Sequence, residues 1–455
     1  MKLKIVLWIL ISMFLLEGCE IKPHNSSGSN DSDTSLVEEN NNNSNSEDSF
    51  EEDISSEAKP PVVKGQGGFV DDTEELTEEE KNIILTFMDA YFESLATTEV
   101  MDIASLYKDS EGINAELNRA AWEFMVEVRK KQSNDLTLQE YEYFLRVDNV
   151  EDLEEGTRIT ISEDSITKFS EYPDVEAEQY GIIHYFVLDE TADGIKILSH
   201  LQRGTLYWAL IGENREYIKT DESIDIDENA QADMTIETDN VPLLTDAQVI
   251  EYIYVQKEAL LRKADNNLQL RNQGIDEDKE FVYDYPYNRD EAIRYANNWI
   301  NRRNTEWLDY SNLGGNCQNF ASQSMVAGGI PMDTQGDHVW KWFGATLSNT
   351  TATRGRTSSW TGVDEFYAYA QLNDGFGLVA DADANFDQGE IGDIIILGFD
   401  ENWRHTVMIT EVLTDSDGNL IEYLVASNTK DQKNYPISAY LYTRQQLIKI
   451  YGWNE

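Results

Sequence analysis

The chain has 455 residues, a net charge of −51 and only two cysteines. So acidic a protein excludes electrostatic binding of nucleic acid or other anionic polymers, and a cationic or neutral ligand is expected. Two cysteines in unlike contexts exclude a disulfide framework.

At the start of the chain, Lys2 and Lys4 precede an apolar run from Ile5 to Leu16, and Gly18 lies just before Cys19. The run is too short to span a membrane comfortably. This segment resembles a bacterial lipoprotein signal, with Glu17 where that pattern has a small or apolar residue. The resemblance implies removal of residues 1–18, lipidation of Cys19 with fatty acyl chains such as palmitate, and anchoring on the extracytoplasmic face of the cell membrane. Two acyl chains anchor stably where one binds reversibly.

Residues 19–70 read as a disordered acidic linker rich in Asn and Ser. Between Glu20 and Ala58 eleven acidic residues face the single Lys22, and too little apolar surface is present to offset the entropy of ordering.

An α+β accessory domain is expected over 71–240. Thr77-Glu78-Glu79-Glu80 forms a capping box, and Ile84, Phe87, Met88, Tyr91 and Leu95 share one helical face. A second helix is marked by Leu117, Ala121, Phe124 and Val128. The period then shortens to two, predicting strands at Arg158 to Ile161, Ile182 to Leu188, Ile195 to Leu198 and Leu206 to Ile211. The order, with Ala90-Tyr91-Phe92 early and a tryptophan in the last strand, resembles nuclear transport factor 2-like domains. His184 and His200, on or beside strands without metal-ligand neighbours in sequence, read as packing residues. A connecting helix, opened by Thr245-Asp246-Ala247-Gln248, is expected within 241–282.

The last domain, 283–455, carries the chemistry. Asn288 and Glu291 frame a helix start, with Ala292, Tyr295, Ala296 and Trp299 on its buried face. Gly314-Gly315-Asn316-Cys317 reads as a turn feeding a second helix that ends at Gly328-Gly329-Ile330-Pro331. Cys317 is thus expected at a helix N-terminus, where free N–H groups and the helix dipole stabilise a thiolate. His405, opening the β-branched run Thr406 to Thr410, is the expected general base and acid. Asn428, ending the next strand, is the expected orienter of the imidazole; Cys, His and a polar third residue follow the chain order of papain-like enzymes. His338 reads as a non-catalytic loop residue. Asp381 to Asp387 alternates like a calcium loop but has Phe386 where the sharp turn needs glycine. Asp415 to Asn419 reads as a hairpin turn. No metal or cofactor is expected.

The blocks Tyr287 to Ala296, Cys317 to Gln323, Ala327 to Pro331, Ser359-Trp360, Gly392 to Ile395 and Trp403 to Thr410 resemble, in that order, the bacterial putative amidase domain, a papain-like group related to NlpC-type and CHAP peptidoglycan hydrolases. The resemblance implies a papain-like fold of N-terminal helices packed on an antiparallel sheet, with Cys317 as nucleophile, His405 as base and acid, and Asn428 as orienter. Gln318, Asn319, Trp340 and Trp403 are the expected substrate contacts. The chain departs from the family's usual aspartate at Asn316, its threonine at Gln318, and its His-Thr pair at Asn428-Thr429. The expected activity is cysteine-dependent cleavage of an amide in cell-wall or surface peptides through an acyl-enzyme. The alternative is a non-catalytic lipoprotein that binds wall peptides or a protein in the same cleft.

Overall fold

A computed structural model describes residues 64–70, 75–212, 244–273, 280–311, 313–335, 337–344, 355–399 and 402–455. Cys19, residues 1–18 and most of the 19–70 stretch lie outside the described residues.

The first described element, β1 (Lys64–Phe69), falls within the stretch expected to be linker; it pairs in parallel with β2. Helix α1 (Glu78–Thr97) begins with the predicted capping box: Thr77 accepts from the Glu80 amide, and the Glu80 carboxylate accepts from the Thr77 amide at 2.8 Å. Helix α2 (Ile113–Lys130) follows, then four antiparallel strands: β2 (Leu138–Leu153), β3 (Gly156–Phe169), β4 (Ala177–Thr191) and β5 (Gly194–Gln202). The two helices pack on one face of these strands through aromatic contacts, Phe87 lying 5.1 Å from Trp122 and 5.3 Å from Phe186 between ring centres.

The expected strand Leu206 to Ile211 is instead a helix, α3 (Thr205–Ile211). Its buried residues are Leu206, Tyr207, Leu210 and Ile211, a spacing that lines one helical face where alternation would have buried every second residue. Its tryptophan, Trp208, is therefore not on a strand, and that part of the resemblance to nuclear transport factor 2-like domains falls away. Helix α4 (Asp246–Gln273) opens as predicted, with the Gln248 side chain accepting from the Thr245 amide at 2.9 Å. It is more than a connector: Lys257 pairs with Glu123, and Tyr254 donates to Glu116, both on α2.

The C-terminal part contains β6 (Tyr285–Pro286), α5 (Arg289–Trp299), α6 (Cys317–Ala327), α7 (Ser358–Thr361), α8 (Val363–Leu372), β7 (Gly377–Ala384), β8 (Ile394–Gly398), β9 (Trp403–Thr414), β10 (Leu420–Ser427), β11 (Asp431–Pro436) and β12 (Arg444–Asn454). Asn288 caps α5 by accepting from the Glu291 amide. Strands β8, β9 and β10 form an antiparallel meander. The run Ile394 to Leu397 is wholly buried because both faces of the sheet are covered. Ile394 and Ile396 join the core beneath α5 and α6, while Ile395 and Leu397 join the core shared with the accessory half.

The two halves are joined by that sheet. Strand β11 pairs with β4 through Asp431↔Tyr180, Gln432↔Gln179 and Lys433↔Glu178, making a single 12-stranded sheet within the compact unit Pro60–Glu455. The buried Glu422 on β10 extends the junction, accepting from Asn134 and Tyr172 of the accessory half. The fold is thus mixed α and β around one large sheet, compatible with the expected α+β class.

Candidate active site

Gly314 and Gly315 both have φ near +100° (101° and 102°), a left-handed pair that side-chain-bearing residues rarely adopt. They reverse the chain so that Cys317 becomes the first residue of α6, where the backbone N–H groups of the first turn have no carbonyl partners within the helix. The Asn316 side chain does not cap them.

Asn316 is committed to holding the turn. Its amide nitrogen donates to Thr429 Oγ1 at 2.7 Å, its Oδ1 accepts from the Tyr310 amide at 3.1 Å and from Asn319 Nδ2 at 2.8 Å, and its Nδ2 donates to Asn428 Oδ1. Asn428 in turn donates from Nδ2 to the carbonyls of Trp299 at 2.8 Å and Ile300 at 2.9 Å. Those carbonyls fix its amide orientation, so Oδ1 must face residue 316 and requires a donor there. An aspartate at 316 could not provide one. The departure at Asn316 therefore matches the departure at Asn428.

This geometry corrects the role expected of Asn428. Both ends of its amide are used to fasten the end of α5 to the turn before Cys317, and none of its hydrogen bonds reaches the His405 imidazole. Its effect on the site runs through the position of Cys317.

His405, on β9 opposite Leu397 of β8, is buried, and its Nε2 has no hydrogen-bond partner. Aromatic rings set its orientation: Tyr442 stacks on it at 5.9 Å and 13° between planes, and Tyr440 lies at 5.9 Å, tilted. Burial, with a smaller contribution from the Lys430 charge, lowers the imidazole pKa to about 3. At neutral pH the ring is uncharged and can accept a proton but does not hold one.

Cys317 and His405 open onto one cavity of about 200 Å³. Its other wall comes from the accessory half, including Tyr91, Phe92, Arg129 and Glu163. Nothing in the sequence linked these residues to Cys317, since the β4–β11 pairing that brings them there is long-range. The charged lining also runs against the expectation from net charge. Arg129, Arg203, Arg404 and Lys430 face the cavity with Glu163 as the lone carboxylate among the described lining residues.

The four expected substrate contacts lie elsewhere. Gln318 is fully buried, accepting from Thr406 Oγ1 at 2.8 Å and so tying α6 to β9 beside His405. Asn319 accepts from Trp360 Nε1 at 2.7 Å, and Trp340 donates to Ser322 Oγ at 3.0 Å, within the same interior network. Trp403 is covered by the Arg444 guanidinium 4.0 Å from its ring. Gln318, Asn319 and Trp340 thus serve the packing of α6; a buried polar network and a binding site draw on the same residue types in sequence. Asp393, in the Gly392 to Ile395 block, is likewise structural: it is fully buried and paired with Arg289 at 2.7 Å. His338 is exposed and lies outside the cavity lining.

The predicted Asp415 to Asn419 turn closes the β9–β10 hairpin, with Gly418 at φ 85°. Among the described residues no group of three or more His, Cys, Asp or Glu side chains is arranged to hold a metal ion.

Residues 286–453 match the family model described as "Putative amidase domain", which indicates amidohydrolase activity for this part of the chain. The chain is also similar to "Uncharacterized protein YhbB" of Bacillus subtilis (strain 168), with 25% identity over 261 residues that cover 57% of this chain and 73% of the relative. No solved structure matches the chain significantly.

Proposed function

We propose that the protein is a thiol amidohydrolase acting on peptide amides through an acyl-enzyme, with Cys317 as nucleophile and His405 as general base and acid. The observation that carries this reading is that the first residue of α6, a cysteine, and the uncharged imidazole of His405 face the same cavity in a part of the chain that matches an amidase family. The Cys317 sulfur attacks the amide carbonyl carbon, and its proton passes to His405. The C–N bond then breaks, and the amine leaves with that proton. Water attacks the thioester, yielding a carboxylate and restoring the thiol. First-turn N–H groups of α6 are suited to stabilising the oxyanion in both steps. The papain-like grouping fits the order of helix-borne Cys317 and strand-borne His405, with Asn428 as a positioning residue for the thiol turn.

Cell-wall or surface peptides are the substrates this reading favours, in keeping with a lipid anchor at Cys19 on the outer face of the membrane. The apolar run Ile5 to Leu16 followed by Gly18-Cys19 supports that anchor, and no helix among the described residues is long and apolar enough to cross a membrane. Replacing Cys19 with Ser should move the protein from the membrane to the soluble fraction; a membrane-bound variant would refute the anchor.

The test of catalysis compares full-length wild type with Cys317→Ala and His405→Ala on purified peptidoglycan and on peptide amides, scoring new amines. Both variants should lose at least about a thousand-fold in rate, since nucleophile and base act as a unit. A second reading, a binding protein on an amidase scaffold, draws on the low basicity of His405 and its unpartnered Nε2. Wild type and Cys317→Ala at the same background, both still retaining wall material, would establish that reading.

A further inference from the structure

The accessory half brings a buried guanidinium to the cavity. Arg129, on α2, is 5% exposed and lines the same space as Cys317. Its partners are neutral: the Leu136 carbonyl at 3.4 Å, the Tyr435 hydroxyl, and the Phe169 ring 5.7 Å away. Nε of Arg129 is buried with no hydrogen bond, and no carboxylate among the described residues lies within ion-pair distance. A buried charge without a counter-ion is unfavourable by several kcal/mol, and proteins seldom retain one unless a ligand completes it.

Glu163, the cavity's carboxylate, is already engaged. Asn118 uses Nδ2 on the carbonyls of Asn114 and His200, so its Oδ1 accepts, and His200 Nδ1 donates to it at 2.8 Å. Burial keeps His200 uncharged, so its Nε2 accepts from His184 Nδ1 at 3.0 Å. One proton must then lie between His184 Nε2 and Glu163 Oε2, which are 2.9 Å apart. Whichever atom holds it, the Glu163–His184 pair is neutral overall and leaves the Arg129 charge uncompensated. The histidines read from sequence as packing residues thus remove the carboxylate that could have neutralised the guanidinium.

We infer that the cavity receives a free carboxylate of the ligand on Arg129, so that the accessory half selects peptides or acyl-amino acids ending in a carboxylate. The inference deepens the proposed function, resting on the Cys317 cavity being the substrate site. Three further observations agree with it. Arg203, Arg404 and Lys430 also line the cavity, so cationic side chains outnumber the single carboxylate among its described lining residues. A guanidinium presents paired N–H donors that match a carboxylate. A space of about 200 Å³ is smaller than the pockets of drug-sized ligands, which suits the end of a peptide better than its middle.

The test uses the full chain carrying Cys317→Ala, which reads recognition without turnover. A mixed-sequence pool of N-acetylated tripeptides is offered once as free acids and once as the matching C-terminal carboxamides, and bound peptides are measured by equilibrium dialysis and mass spectrometry. The acids should be retained at least about ten-fold more tightly than the carboxamides. Adding Arg129→Gln should abolish that preference, whereas Arg129→Lys should keep part of it. Thermal melting checks that each variant is folded, and if the glutamine variant is not, a weakened acid preference in the lysine variant serves in its place. Equal retention of acids and carboxamides, retention of neither, or a full acid preference in both folded Arg129 variants would overturn the inference. Absence of hydrolysis by wild type, with the acid preference intact, would remove the enzyme reading and leave the carboxylate site standing.

Discussion

His405 shows how far a residue's chemistry depends on what surrounds it. In sequence it is an imidazole at the start of a β-branched run; in the structure burial and the Lys430 charge lower its pKa to about 3, from the ordinary value of about 6.5 in an unfolded chain. Above pH 6.5 both states are neutral and the group gives no pH dependence. As pH falls from about 6.5 toward 3, the unfolded chain binds a proton that the folded chain refuses, so stability present at neutral pH is progressively lost, on the order of 1.4 kcal/mol per pH unit. Urea unfolding of wild type between pH 7 and 4 should therefore weaken more steeply than that of His405→Gln. Parallel pH dependences would show that the ring is more solvated than its surroundings indicate. Cys317, by contrast, kept the position read for it, because Gly314 and Gly315 can adopt the positive φ that the turn into the helix needs, a conformation side-chain-bearing residues rarely reach.

At the scale of elements, the turn before α6 is fastened by amides that belong to three different segments. Asn428, following β10, binds the last carbonyls of α5 and the Asn316 side chain together, and both asparagines are almost wholly buried. Asn428→Ala leaves at least two carbonyls and one amide donor without partners, which should destabilise the protein by about 2 to 4 kcal/mol. Activity should fall while the pH profile of the remaining turnover stays where it was, because the ring of His405 is untouched. A displaced profile would mean that Asn428 does act on the imidazole. The capping box at Thr77, the Gln248 side chain accepting from the Thr245 amide, and the Asn288 cap were legible because a cap is a local bargain between neighbouring residues. The Leu206 to Ile211 helix was not, since in six residues the apolar pattern fits either period and only packing against α4 and α2 selects one.

At the scale of the molecule, the junction between the halves is structural as well as functional. Separating them would strip β11 of its β4 partner, break the Lys433–Glu178 ion pair, and expose Ile395, Leu397, Val407 and Ile409. A fragment beginning at Tyr283 should therefore aggregate, having both an open sheet edge and an apolar face. The intact protein should unfold in one transition, seen alike by circular dichroism and tryptophan fluorescence. A monomeric fragment with a sharp melt of its own, or two resolved transitions in the whole chain, would show that the halves are independent.

The sequence by itself determined the local features: the helix starts, the thiol at the head of a helix, the histidine on a strand, and the hairpin turn at Asp415 to Asn419. Each depends on residues within a few positions of one another, whose spacing and backbone preferences act directly. Only the tertiary structure decided that Asn428 faces Asn316 and not His405, that Gln318, Asn319 and Trp340 lie in the interior, and that Arg129 stands in the same cavity as Cys317. Those relations follow from pairings across hundreds of residues, above all β4 with β11, and from burial that changes what a charged group can do; neither is encoded in any short stretch of chain.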